Sequence, residues 1–251
     1  MILQKAFTIN VGGMSVFLLC EAPSWKRRNP TVIFFHGFTG HHIETSRIFV
    51  SMAHRLLKEG FATVRFDYRF HGDSEGDFED FTLSSAIEDA LTVYDTVVSW
   101  NWIDPGKIGC IGFSLGTAVA VEVAEAKPFK AIVLWAVLGE SWLRNLRKRI
   151  KSMEKGLIPL YGAFQIKREG FIDIMSHRFT EKIDKINSPT LIVHCKDDRS
   201  VNPKNAVEFY SRLKCVKKLF WIKSGGHGFA TPEAREILFE ETIKWFKTFL
   251  A

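Results

Sequence analysis

No apolar run in this 251-residue chain is long enough to cross a membrane. The opening stretch MILQKAFTINVGGMSVFLLCEAP lacks a basic segment ahead of its apolar residues, and Gly12 and Gly13 interrupt it. A signal peptide is therefore not expected, and the cytoplasm is the default location. Cysteine is scarce. Cys20, Cys110, Cys195 and Cys215 contain no CxxC pair, and each lies in or beside an apolar stretch. That spacing argues against a disulfide framework and predicts buried free thiols. HExxH is missing, as are internal repeats and low-complexity tracts. The formal net charge of +6 comes without a matching motif, so no nucleic-acid partner is expected.

What the chain does have is an ordinary globular composition, 46% hydrophobic and 25% charged, at a length that suits one large α/β domain over residues 1–251. Two short strands joined at Gly12-Gly13 fit Lys5–Val11 and Ser15–Cys20. TVIFF, residues 31–35, has no alternation and reads as a strand buried on both faces. The pattern then alternates. A helix is expected over Thr45–Glu59, a strand over Ala62–Phe66, a helix over Leu83–Ser99 and a strand over Lys107–Ile111. A helix over Leu115–Ala126 and a strand over Ala131–Trp135 follow. After a gap come the strand Thr190–Cys195, a helix over Lys204–Leu213, the strand Lys218–Ile222 and a final helix over Pro232–Phe249. This rhythm predicts a mostly parallel central sheet with helices on both faces.

Between Lys107–Ile111 and the helix that follows lies GFSLG, with Ser114 between Gly112 and Gly116. A G-x-S-x-G at a strand-to-helix turn has a mechanical meaning: a sharp turn pushes the serine out of the sheet, and the glycines remove Cβ atoms where strand and helix would collide. The helix N-terminus beneath it favours an anion. A serine at its ordinary pKa needs a general base and a group to orient that base. Downstream, the strand TLIVHC runs into KDDRSVNP, and FWIKSGGHGF places His227 in a glycine-flanked loop. The order Ser, acid, His of the α/β-hydrolases is met, with Asp197 and Asp198 both available as the acid. The N–H of Leu115, directly after the serine, is one expected oxyanion donor. His36 follows a buried strand. His41 and His42 lack an obvious acidic or cysteine partner and read as solvated loop residues; no metal site is expected. His54, His71, His177 and His194 have no recognisable partners in sequence.

The chain resembles the α/β-hydrolase superfamily over nearly its whole length. HGFTG at 36–40, the run DYRFHGDSEGDFEDF at 67–81 and the GFSLG elbow resemble bacterial feruloyl (cinnamoyl) esterase-like carboxylesterases. The resemblance implies an α/β-hydrolase fold and a small inserted lid. Its D-x-x-V pattern favours Asp198 over Asp197 as the acid, and its HGF pattern points to the N–H of Phe38 as the second oxyanion donor. Phe70 stands where that pattern has glycine, and Cys195 where glycine often follows the strand histidine. Asp67–Asp80 is expected to support the site from a loop, with turn-stabilising rather than catalytic roles for Asp73 and Glu75.

The rhythm breaks between about 139 and 182. There Trp142, Leu143, Leu146, Ile150, Met153 and Leu157 fall on one helical face, and Arg144, Arg147, Lys148, Arg149, Lys151 and Lys155 on the rest. A lid over an acyl pocket is the favoured reading, ahead of a plain solvated helix and of a membrane-surface helix. Trp142, Tyr161, Phe164 and Phe171 are candidates to shape the pocket. The expected activity is a serine carboxylesterase acting on small-molecule short-chain or aryl esters, with no cofactor, no metal and no stable membrane association; a homo-oligomer is left open. A thioesterase or acyltransferase would use the same triad. A serine peptidase is disfavoured because the chain starts almost at its first strand, and a non-catalytic binding protein because all three triad members are present.

Overall fold

The computed structural model describes residues 4–151, 156–160 and 162–251. In chain order its strands are β1 (Gln4–Val11), β2 (Met14–Glu21), β3 (Asn29–Phe35), β4 (Ala62–Phe66), β5 (Ile103–Phe113), β6 (Ala131–Trp135), β7 (Leu157–Pro159), β8 (Gln165–Lys167), β9 (Thr190–Cys195) and β10 (Lys217–Ile222). The helices are α1 (Ile48–Lys58), α2 (Leu83–Ser99), α3 (Leu115–Ala126), α4 (Glu140–Lys151), α5 (Arg168–Ser176), α6 (Lys204–Arg212) and α7 (Pro232–Phe249). One sheet has the order β1-β2-β4-β3-β5-β6-β9-β10. β1 and β2 are antiparallel, as are β2 and β4; every other pair in it is parallel. This is the α/β-hydrolase architecture.

The missing alternation in TVIFF has a simple cause. Ile33 and Phe35 point into a core shared with α2, α3 and α6, whereas Val32 and Phe34 point into a second core built with α1 and α7. In β5, Ile108 and Cys110 join the first core, and Ile111 and Phe113 the second. The period of two persists, but both faces are apolar because helices cover both. The parallel strands also end on one side. The loops after Phe35, Phe66, Phe113, Trp135, Cys195 and Ile222 therefore gather at one edge, where ligands bind in open α/β sheets.

Two expectations need correction. The helix expected from Thr45 begins at Ile48, after a single 3₁₀ turn over Thr45–Arg47. Ser46 and Arg47 are left-handed, at φ 49° and 61°, and the carbonyls of Thr45 and Ser46 accept from the Arg235 guanidinium at 3.2 and 2.7 Å. The helical face drawn through Leu157 also fails. Leu157 lies in β7 and is 45% exposed, because Gly156, at φ 119°, takes the chain out of helical geometry. Within α4 the pattern holds: Leu143, Leu146 and Ile150 are buried while Arg144, Arg147 and Lys148 face out. Met153, Lys155 and Tyr161, and the side chains of Arg149 and Lys151, lie outside the described residues.

The segment between β6 and β9 is tied to the body by polar contacts as well. The Thr180 hydroxyl donates to Glu140 at 2.6 Å, and Ser141 bonds to Asn205 on α6 at 2.6 Å. Asp173 on α5 accepts from the N–H of Ser84 at the start of α2 at 2.9 Å, and His177 lies 2.9 Å from the Ser84 hydroxyl.

Candidate active site

β5 ends at Phe113 and α3 begins at Leu115, so Ser114 alone makes the turn. Its φ of 52° and ψ of −117° are strained for any residue with a Cβ, at a cost of order 1–3 kcal/mol. Close approach makes the turn possible. A Cβ on Gly116 would stand 2.0 Å from the Phe35 carbonyl oxygen, and one on Gly112 would stand 2.6 Å from the Gly116 carbonyl oxygen. The Ser114 N–H donates to Trp135 O at 3.0 Å, and the Thr117 hydroxyl donates to Ser114 O at 2.6 Å, bracing the turn from both sides.

The loops after β9 and β10 bring two more groups to this serine. His227 Nε2 lies 3.0 Å from Ser114 Oγ, and His227 Nδ1 lies 2.8 Å from Asp198 Oδ2. A carboxylate accepts only, so Nδ1 carries the proton and Nε2 is left to accept from the serine. The other oxygen of Asp198 accepts from the N–H groups of Ser200 and Val201, both at 2.9 Å. Burial pushes the Asp198 carboxyl up, but bonds from His194, His227 and the Val201 N–H outweigh it and hold it well below the usual carboxylate range. Asp197 does something different. It accepts from Gly226 N–H at 2.9 Å and Gly225 N–H at 3.2 Å, fixing the loop that carries His227.

His194 was not legible as part of this group. It is fully buried, and its Nε2 lies 3.2 Å from both Asp198 Oδ2 and Val201 O, so that nitrogen is the donor. The signal was a histidine four residues before an acid across a strand end, which is visible only once the strand is known to stop at Cys195.

The loop after β3 approaches from the other side. A Cβ on Gly37 would stand 3.3 Å from Ser114 Cβ. Phe38 N–H and Leu115 N–H donate to no other group among the described residues. His36 is buried, and burial pushes its pKa down to about 4. Its Nε2 accepts from Tyr68 N–H at 3.2 Å, which leaves Nδ1–H to donate to Gly37 O at 2.9 Å. The Phe38 ring packs on Phe78, Phe81 and Phe171. A cavity of about 450 Å³ opens beside it, lined by Phe38, Trp142, Leu146, Leu160, Phe171 and Ser200.

His42 is not a solvated loop residue. It is buried, its Nδ1 lies 2.9 Å from Asp67 Oδ2, and its N–H donates to Asp67 Oδ1. Asp73 brings a third group of metal-ligand type within 4.8 Å. The sequence hid this partner because Asp67 lies 25 residues on, at the end of the neighbouring strand β4. Asp67 Oδ2 also accepts from Asp73 N–H at 2.9 Å, so the carboxylate is already engaged and reads as a brace between two loops. Phe70 stands where the resemblance has glycine and adopts φ 72°, a conformation that favours glycine; its N–H donates to Glu75 O at 2.9 Å. His54 lies 3.3 Å from the buried Glu21, and the buried His71 lies 3.2 Å from Arg69 O.

The pattern of the prolyl oligopeptidase family matches residues 49–251. The chain belongs to the prolyl oligopeptidase family. Among its relatives, lysophosphatidylserine lipase ABHD12 of Danio rerio is 29% identical over 189 residues, 71% of this chain and 46% of that protein. Protein ABHD12B of Homo sapiens is 29% identical over 182 residues, 69% of this chain and 47% of that protein. The chain thus spans about half the length of these curated relatives. Among solved structures, Est1E from Butyrivibrio proteoclasticus with bound ferulic acid superposes with a TM-score of 0.85 at 24% identity, covering 97% of this chain and 99% of Est1E. Mouse alpha/beta hydrolase domain-containing protein 10 gives 0.82 at 18% identity, with 97% and 99% covered. Family and fold together make this a member of a hydrolase family with the α/β-hydrolase fold. No helix among the described residues is long and apolar enough to cross a membrane.

Proposed function

We propose that this chain is a serine carboxylesterase that cleaves short-chain or aryl esters through an acyl-enzyme. The observation that carries the reading is the continuous relay from Ser114 Oγ through His227 to Asp198, at 3.0 and 2.8 Å, beside two uncommitted backbone N–H groups. Ser114 Oγ attacks the ester carbonyl as His227 Nε2 takes its proton. The carbonyl oxygen becomes an oxyanion held by Leu115 N–H and Phe38 N–H. Asp198 keeps Nδ1 protonated and stabilises the imidazolium. Collapse of the tetrahedral intermediate breaks the C–O bond, and His227 returns its proton to the leaving alcohol. Water then attacks the acyl-enzyme as His227 takes its proton; collapse breaks the bond from the acyl carbon to Ser114 Oγ, His227 returns the proton to Oγ, and the acid leaves.

The substrate class rests on the cavity beside Phe38. Its walls are mainly apolar and aromatic, and about 450 Å³ suits a short acyl chain or one substituted aromatic ring. Within the insertion, α4 and α5 act as the lid of this pocket, since Trp142 and Leu146 of α4 and Phe171 of α5 form one side of it. Ferulic acid bound to Est1E favours the aryl option. The family pattern, named for a peptidase, favours a second reading, cleavage of a peptide bond. A panel of p-nitrophenyl esters from acetate to palmitate, methyl ferulate and a prolyl p-nitroanilide separates them. The expected result is turnover of short or aryl esters by wild type and none by Ser114→Ala. Turnover of the anilide alone would redirect the reading to peptides, and an inert panel would move it to thioesters.

A further inference from the structure

Between Gly37 and α1 the backbone is strained at four non-glycine residues: Thr39, Glu44, Ser46 and Arg47 have φ of 61°, 58°, 49° and 61°. Glu44, with ψ of 172°, lies in a region that glycine alone adopts readily. Such strain persists only where other contacts over-determine it. Here those contacts converge on one side chain. Glu44 is buried; its Oε1 accepts from Gly37 N–H at 2.7 Å and its Oε2 from Thr45 N–H at 2.9 Å. The carboxylate fills the inside of the HGFTG turn so closely that a Cβ on Gly40 would stand 2.2 Å from Oε1. Burial raises its pKa, against the pull of the two N–H donors.

Gly37 is thus gripped at both ends. His36 Nδ1–H holds its carbonyl at 2.9 Å, and Glu44 holds its N–H. The peptide that carries the Phe38 N–H starts at that carbonyl. Glu44 is itself anchored through the segment that follows it. Arg235 on α7 donates to Thr45 O, to Ser46 O and, through Nε at 3.0 Å, to Phe229 O, two residues after His227.

The geometry points to Glu44 as a positioning residue for oxyanion stabilisation: its carboxylate, buried under the turn, sets the Gly37–Phe38 peptide in register with Ser114. This rests on the esterase reading above. Glu44 accepts from Gly37 and Thr45 N–H groups, and it acts through the backbone of Gly37. Both oxygens accept, and that requirement is specific. A glutamine has one oxygen and would turn its NH₂ toward one of two N–H donors. The bonds are needed most when charge develops on the substrate, so their loss should lower kcat more than it raises KM.

The test compares wild type with Glu44→Gln, Glu44→Ala and Arg235→Gln. Each is assayed for ester hydrolysis, for inhibition by phenylboronic acid, which forms a tetrahedral adduct on a nucleophilic serine, and for thermal midpoint. Misplacing one oxyanion donor should cost about 10–100-fold in kcat for the Glu44 variants. The boronate inhibition constant should rise in parallel and KM should stay within about threefold. Arg235→Gln leaves the Glu44 carboxylate in place and should show the same pattern at about 3–10-fold, so it decides the question where the Glu44 variants do not fold. Folded Glu44 variants with wild-type kcat and boronate affinity would overturn the inference, as would losses confined to KM. Wild type that neither hydrolyses esters nor binds boronate would instead sink the esterase reading and this inference with it.

Discussion

Replacing Asp198 by asparagine changes one atom and should disable the enzyme. Asp198 Oδ1 accepts from two backbone N–H groups and Oδ2 faces two imidazole donors, His227 Nδ1–H and His194 Nε2–H. The amide oxygen of an asparagine is claimed by the Ser200 and Val201 N–H groups, because its NH₂ cannot face them. The NH₂ then meets His227, and it donates where Asp198 accepted. His227 relieves this by moving its proton to Nε2, the nitrogen that takes the Ser114 proton in the proposed mechanism. A wrong tautomer of this kind costs about 10⁴ in kcat, or about 5.5 kcal/mol of barrier at 1.36 kcal/mol per tenfold. KM should move little. Asp197→Asn is the matched control. Asp197 is exposed and only steadies the Gly225-Gly226 turn. Its variant should lose no more than about tenfold. Steady-state hydrolysis of p-nitrophenyl acetate over five decades of rate resolves both. An Asp198→Asn enzyme within tenfold of wild type, or an Asp197→Asn enzyme that is the weaker of the two, would refute the assignment of the acid.

Three further outcomes follow from the packing and the charges. Gly116→Ala puts a methyl group 2.0 Å from a backbone oxygen that cannot give way, so chemical denaturation should show a loss of about 3 kcal/mol or more. Trp142→Ala removes one wall of the cavity from a half-buried position; kcat/KM should fall about tenfold for aryl esters, and tolerance of longer acyl chains should widen on the ester panel. His177 is raised to about 9 by its bonds to Asp173 and Glu122, so its folded-state pKa lies above its unfolded value near 6.5. The stability it contributes is complete below about pH 6.5 and disappears as pH rises through about 9. Thermal melts from pH 6 to 10 should show that loss in wild type and not in His177→Gln.

Much of this molecule was legible because its signals are local. TVIFF, GFSLG and the strand–helix rhythm each depend on a few neighbouring residues, and both-face burial of the sheet is written in the absence of alternation. The distinction between Asp197 and Asp198 was not written in the residues themselves. It came from a resemblance, and the geometry separates the two by which carboxylate faces His227 and which faces Gly225 and Gly226. Pairings across strands stayed hidden for the same physical reason. His42 meets Asp67 and Gly12 packs on Arg69 only because β2, β3 and β4 are neighbours in the sheet, and nothing local announces those distances. Glu44 and Arg235 are 191 residues apart and meet through the backbone of Thr45 and Ser46. The helix expected from Thr45 was wrong at its start because that tertiary contact takes the carbonyls a first helical turn would use.

The proposed reaction begins with Ser114 as the nucleophile. The most direct measurement is labelling of the wild-type protein with a fluorophosphonate, followed by mapping of the adduct by peptide mass spectrometry. The prediction is one adduct on Ser114, formed in step with loss of esterase activity, and none in Ser114→Ala or in protein pre-treated with phenylboronic acid. An unlabelled Ser114 in folded, active protein, or an adduct on another residue, would contradict it.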